Sequence, residues 1–232
     1  PSISGTAVDP GNAGMYKVYV KIQTMRNSNY WKTGSGFSEV VGTWNEISYT
    51  GDPWSYLFNP DWSLENGNEI RVWSEAKDKA ANKETASVSP QYRYFNVDIT
   101  TPTVLNLAPS TYTATISNLP TISGTALDTP STGKIDTVRI RIREASKPGD
   151  TTPNYWNGSA FDYTDAQSES AWFAPANLTS DSTIWWSVFT AWTDSGTYRV
   201  ESKATDKAGN FILSYSTSNF VYDTAKPTSE VT

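Results

Sequence analysis

The second half of this chain restates the first. The opening segment PSISGTAVD, from Pro1, returns as PTISGTALD, from Pro120. Val18, Val20 and Ile22 return as Val138, Ile140 and Ile142, and Tyr30-Trp31 returns as Tyr155-Trp156. GNEIRVWSEAKDKAAN, from Gly67, returns as GTYRVESKATDKAGN, from Gly196, and Phe95 to Asp98 returns as Phe220 to Asp223. The offset drifts along the chain, as it does when only loops differ in length. Solenoid repeats run roughly 20–50 residues; this period is that of a whole domain. Two copies in a row point to a task that gains from reach or multiplicity more than to an active site.

Composition narrows the chemistry. At 232 residues the chain has room for two domains, each able to bury its own core. It has no cysteine and no histidine. Disulfides, thiolate sites, histidine metal ligands and Ser-His or Cys-His dyads are therefore excluded. A net charge of -6 argues against nucleic acid and anionic membrane surfaces as partners. No apolar run approaches the roughly 18 residues that span a bilayer. With 10 Trp, 13 Tyr and abundant Ser, Thr and Asn, the composition leans toward an extracellular β protein.

Period two dominates the chain. Ile70, Val72, Ser74 and Ala76 alternate with Arg71, Trp73, Glu75 and Lys77, and Tyr198, Val200, Ser202 and Ala204 alternate with Arg199, Glu201, Lys203 and Thr205. Val138, Ile140 and Ile142 alternate with Arg139, Arg141 and Arg143 in the same way. Such alternation marks strands with one buried and one wet face, so the three arginines are expected on one solvated face. No stretch holds a helical period. Turn residues punctuate the runs, and many short strands between turns predict a sandwich or barrel. Strands are expected near 2–7, 16–24, 29–32, 37–41, 44–49, 54–58, 68–77 and 91–97. In the second copy they are expected near 103–107, 112–117, 120–126, 135–144, 154–157, 160–163, 171–174, 184–190, 196–205 and 212–222. Val18, Val20, Ile22, Ile70, Val72 and Ala76 should be buried, matched by Val138, Ile140, Ile142, Tyr198, Val200 and Ala204.

Four motifs recur in order: ISGTA-x-D, then Tyr-Trp-Asn-Gly-x-x-Phe, then Gly-Thr-Tyr-x-Val with Ala-x-Asp-x-Ala-Gly-Asn, then Phe-x-x-Asp-x-x-x-Pro. Together they resemble the bacterial immunoglobulin-like (Big-type) domains found in tandem in very large surface and secreted proteins. The second copy matches along nearly its whole length. The first departs at Ala81, where the family pattern has Gly, and at Lys32, where it has Asn. The resemblance implies an all-β chain of two tandem immunoglobulin-like β-sandwiches on the bacterial cell surface or outside it. It transfers no catalytic residue. The expected boundaries are 1–100 for a domain lacking its first strand, 101–226 for a fuller domain, and 227–232 for the start of a following repeat. The second copy carries an extra start, PTVLNLAPSTYTATISNL from Pro102, with no counterpart in the first; the tail PTSEVT from Pro227 resembles how it begins. A fragment of a longer array would look like this. An edge left open by a missing strand is a template for another. It is expected to be filled by a preceding segment or by the tail of a neighbouring copy.

Three chemistries compete for the polar and aromatic residues. The Asp-Lys-Ala-Gly-Asn segment from Asp206 to Asn210, like Asp78 to Asn82, suits a tight hairpin turn, because Gly and Asn tolerate positive φ. In an immunoglobulin topology this hairpin, the loop after ISGTA and the incoming linker meet at one end. That gathers Asp98, Asp128, Asp206 and Asn210 as ligands for Ca2+, which takes six to eight oxygens. The tryptophans admit a sugar-binding reading, with Trp73 on the wet face of its strand and Trp31 and Trp156 in Tyr-Trp pairs. Trp44, Trp54 and Trp62, however, have counterparts at Trp172, Trp186 and Trp192, and an aromatic kept in both copies favours core packing. No carboxylate pair stands in an apolar run, so glycosidase chemistry has no candidate residues. The function expected is a non-catalytic spacer or stalk of a large, adhesive bacterial protein, contacting neighbouring repeats or copies, surface glycans or host proteins. The alternative is a pair of carbohydrate-binding modules from an extracellular enzyme.

Overall fold

The computed structural model describes residues 2–84, 92–110, 114–129, 134–179 and 183–230. The strand ends expected at 91 and 112–113, and tail residues 231 and 232, lie outside them. The chain forms two compact units, Pro1–Ile99 and Thr100–Thr232. Both are built from antiparallel β-sheets in the manner of a β-sandwich.

The first unit contains β1 (Ser2–Gly5), β2 (Met15–Thr24), β3 (Tyr30–Lys32), β4 (Gly36–Glu39), β5 (Asn45–Ser48) and β6 (Trp54–Leu57). A one-turn helix, α1 (Trp62–Glu65), precedes β7 (Glu69–Asp78) and β8 (Arg93–Asn96). One sheet runs β4-β3-β2-β7-β8, with β5 also pairing β2; the other is β1 with β6. The second unit contains β9 (Thr103–Ala108), β10 (Ala114–Ile116), β11 (Thr121–Leu127), β12 (Ile135–Ser146) and β13 (Asn154–Trp156). It continues with β14 (Phe161–Tyr163), β15 (Asn177–Leu178), β16 (Ile184–Val188), β17 (Gly196–Asp206) and β18 (Ser216–Tyr222). Its sheets run β15-β16-β11-β9 and β10-β18-β17-β12-β13-β14, with β10 parallel to β18.

The two units share one register. Val18, Val20 and Ile22 lie opposite Ala76, Ser74 and Val72; Val138, Ile140 and Ile142 lie opposite Ala204, Ser202 and Val200. The glycine of each ISGTA segment faces a tryptophan across the second sheet: Gly5 opposite Trp54, Gly124 opposite Trp185. A Cβ at Gly124 would run into the Trp185 indole and the Leu105 carbonyl oxygen, and one at Gly5 would meet the Trp54 ring. The motif keeps glycine there because a buried indole lies flat across that strand. The counterpart of Trp54 is thus Trp185, not Trp186. Trp186, one residue on, points outward, since a one-residue step in a strand reverses the face.

In the second unit all six expected core positions are buried. In the first, Val18, Val20, Ile22 and Ile70 are buried, but Val72 and Ala76 are only partly covered and Ser74 is exposed. The difference tracks β9, which packs over β17 and β18 in the second unit; among the described residues of the first unit, β1 pairs β6 alone.

The arginine row is not one solvated face. Arg139 is exposed, but Arg141 is only 6% exposed. Its Nε donates to Glu201 at 2.8 Å, and its guanidinium lies 4.4 Å from the Trp172 ring and 5.0 Å from that of Tyr155. Alternation finds the outer face but cannot say what covers it. A planar cation with a carboxylate and flat rings around it tolerates desolvation.

Candidate functional site

The Asp-Lys-Ala-Gly-Asn turn is nearly the same object in both units. Asp206 N–H donates to the Asn210 carbonyl at 3.0 Å, and Asp78 N–H does so to Asn82 at 3.0 Å. The Asn210 backbone N–H and side-chain Nδ2 donate to the two Asp206 carboxylate oxygens at 2.9 and 2.8 Å; Asn82 does the same to Asp78 at 2.8 and 2.8 Å. The residue before the asparagine has positive φ, +91° at Gly209 and +73° at Ala81. The sequence chooses this turn because aspartate can accept two N–H groups from a residue four positions on, while glycine supplies the left-handed step. Asn210, a sequence candidate for metal, here holds the Asp206 carboxylate in place with its nitrogen.

Asp128 follows β11 directly and Asp206 ends β17, and the two meet at the same end of the second unit. Each offers a carboxylate oxygen within 4.8 Å of the other. Asp206 is only 2% exposed and Asp128 is partly buried. Two converging carboxylates with little water around them form a concentration of negative charge that a hard cation would relieve. Asp98 belongs to the first unit, one residue before its boundary, and is partly buried. It follows Val97, whose backbone is clamped to Gly67 and Asn68 at 2.8 and 3.0 Å. The first unit handles the position equivalent to Asp128 differently. The Asp9 carboxylate accepts the N–H groups of Gly11 and Gly14 at 2.8 and 2.7 Å, so it serves its own loop.

The aromatics sort into two sets. Trp31 and Trp156 lie in short strands and pack edge-on against Phe58 and Phe189, with ring centroids 4.9 and 5.0 Å apart. Trp62 against Phe58 and Trp192 against Phe189 extend these clusters. Trp44 and Trp172 are not core anchors. They lie on the outer sheet face under cations: Lys21 Nζ sits 4.8 Å from the Trp44 ring, and Arg141 sits over Trp172. Lys21 also lies 4.6 Å from the ring of Trp73. Equivalent strand positions carry these cations in both units, so each outer face bears a cation held between flat rings.

Sequence reasoning missed four buried carboxylates: Glu75 and Glu201, expected on wet faces, and Glu144 and Glu65, each facing a hydroxyl. Glu144 is almost fully buried and accepts the Tyr198 hydroxyl at 2.9 Å and Lys147 Nζ at 2.9 Å. In the first unit, Glu65 on α1 is buried beside Thr24 and accepts Arg26 Nε at 3.2 Å. In a sequence with 24 acidic residues, only the facing tyrosine or threonine marks Glu144 and Glu65, and those partners lie 54 and 41 positions away. No protein-family model matches the chain, and no curated protein shows detectable similarity to it.

Proposed function

We propose that the chain is a tandem pair of immunoglobulin-like β-sandwiches serving as a non-catalytic spacer or stalk segment of a large bacterial surface or secreted protein of adhesive type. The observation that carries this is the repetition in tandem of one strand register and one buried Gly-Trp crossing, and the strand order of the second unit supports the fold reading. Its sheets β9-β11-β16-β15 and β10-β18-β17-β12-β13-β14 support an immunoglobulin-like reading, since in that plan strands A, B, E and D face G, F and C with further C-type strands. The first unit shares with the second the register of its two central strands and the Gly-Trp crossing. Function in such folds resides in sites, not in the fold. The buried tryptophans common to both units, Trp54 and Trp185, support structural duty.

Pulling the chain from its two ends should give two separate cooperative unfolding events. Each should release roughly 3.3–3.6 Å per residue of its unit. A chain that extends gradually without force peaks is unfit as a spacer. The alternative, a pair of carbohydrate-binding modules, draws on the outer-face rings Trp44, Trp73 and Trp172. Polysaccharide that quenches tryptophan fluorescence saturably, with loss in W73A and W172A, would favour it instead.

Within this function, Asp128 and Asp206 of the second unit are the proposed core of a Ca2+ site, with Asn210 bracing Asp206. Carboxylate oxygens suit calcium, and backbone carbonyls and water would complete its six to eight ligands. The role is structural: the ion neutralises converging charge at one end of the second unit.

A further inference from the structure

We propose that the second unit binds an acidic polysaccharide on the outer face of its larger sheet, holding uronate carboxylates between arginines of β12 and β17. Alternation puts Arg139, Arg141 and Arg143 on that face of β12, and Arg199, Glu201 and Lys203 on that face of β17, because the residues between them fill the core. The register sets Arg143 opposite Arg199 and Arg139 opposite Lys203, with Arg141 and Glu201 opposite each other between them. Two like-charged pairs therefore stand face to face, about 14 Å apart along the strands. Like charges directly opposite each other destabilise a sheet. The fold does not require them: at the equivalent positions of the first unit, Gln23 lies opposite Arg71 and Tyr19 opposite Glu75.

The carboxylates nearby offset these cations only in part. Buried Glu201 accepts Arg141 Nε at 2.8 Å and lies 3.5 Å from Arg199 Nε. Arg143 Nη2 donates to Asp165 at 3.3 Å, and Lys203 Nζ lies 3.6 Å from Glu169, but the side chains of those two acids are 64% and 70% exposed. Ion pairs to such exposed carboxylates hold weakly, so an incoming carboxylate can replace them. Arg143 Nε has no hydrogen-bond partner among the described residues. Tyr155 props the pair from the side: its ring lies 5.6 Å from the Arg143 guanidinium, and its hydroxyl accepts Arg199 Nη2 at 3.4 Å.

The ligand class follows from spacing and from what stands beside the pairs. Planar guanidiniums present N–H donors in a fork that matches a carboxylate. The row continues past Tyr155 to Tyr163 on β14, directly opposite it and partly exposed. A phenol ring with an apolar body and a polar tip suits the face and hydroxyls of a sugar. Nucleic acid fits less well. A duplex carries one charge about every 1.7 Å, and many of these would meet Asp165, Glu169 and a chain of net charge -6. A uronic-acid polymer spaces its charges by whole sugar rings. An acidic peptide gains little, because β12 and β17 are paired on both sides and give its backbone no ladder. The inference adds an attachment point to the proposed spacer and depends neither on that role nor on the outer tryptophans.

The test measures binding of the full chain to polygalacturonate by affinity electrophoresis and calorimetry, with dextran, polyglutamate and duplex DNA as comparisons. A chelator is present throughout, so that calcium cannot bridge the polymer to Asp128 and Asp206. Polygalacturonate should bind, and added salt should weaken it. Arg143→Gln, which copies the Gln23–Arg71 pair of the first unit, should keep its melting temperature and bind about tenfold more weakly, the loss expected for one charge-assisted hydrogen bond. Arg199→Gln should do the same from the opposite strand. No binding of polygalacturonate, equal binding of dextran, or unchanged affinity in both variants would each overturn the proposal. So would tighter binding of DNA or polyglutamate, because the patch would then read charge density and not a sugar. None of these outcomes bears on the force peaks that test the spacer.

Discussion

Ala81 occupies the position where the second unit has Gly209, and it does so at φ +73°. An L-residue in that region costs about 1 kcal/mol relative to glycine. A81G should therefore stabilise the first unit by about 1 kcal/mol in urea unfolding. G209A, whose added Cβ meets nothing within 4 Å, should destabilise the second by a similar amount. Equal stability in both variants would mean the backbone relaxes out of the left-handed region. Arg141 poses a different test. Removing it leaves Glu201 buried without its closest cation, so R141A should cost about 3 kcal/mol. R141K should recover only part of this, because an ammonium cannot both fork to Glu201 and lie flat on Trp172. A loss below about 0.5 kcal/mol in R141A would place the ion pair in the weak class of surface bridges.

The long strands were legible because their alternation is unbroken: β2, β7, β12 and β17 follow the expected ranges closely. The short elements were not. The expected strand at 171–174 is a single bridge, Phe173 with Ile140. The two-residue β15 and the turn α1 gave no periodic signal. Four residues cannot display a 3.6 period, and α1 is held locally by Asp61, whose carboxylate accepts Ser63 N–H at 3.0 Å. At the start of β17, Tyr198 reaches both the Thr193 N–H at 2.7 Å and Glu144. Burial raises the pKa of its phenol, and Lys147 is raised by its hydrogen bond to Glu144. Both groups hold their protons more tightly folded than unfolded. Their contribution is therefore complete below the unfolded values near pH 10 and is lost as pH rises through the folded ones. Stability should be flat from neutral pH to about 10 and then fall, and E144Q should fall less steeply. An identical alkaline slope in E144Q would remove Glu144 as the cause.

For the whole molecule, calcium gives the most direct measurement. If Asp128 and Asp206 hold an ion only when folded, the melting temperature should climb with calcium. The stabilisation should be about 2.7 kcal/mol at one hundred times the dissociation constant. D128N should abolish the response while leaving the Asp206–Asn210 turn intact. Identical melting curves in chelator and in millimolar calcium would leave the carboxylate pair a structural detail of the turn. From the sequence alone came the duplication, the all-β character, the hairpin turn and the convergence of Asp128 with Asp206. Each rests on local chemistry or on strand order: period two, a left-handed glycine, and a motif sequence that places two loops at one end. Only the tertiary structure decided that Trp185 and not Trp186 crosses Gly124, that Arg141 is buried while Arg139 is wet, and that Ser74 is bare where Ser202 is sealed. Those outcomes depend on which strand lies over which face. Alternation within one strand records that it has two faces, but what covers each comes from residues far away in the chain.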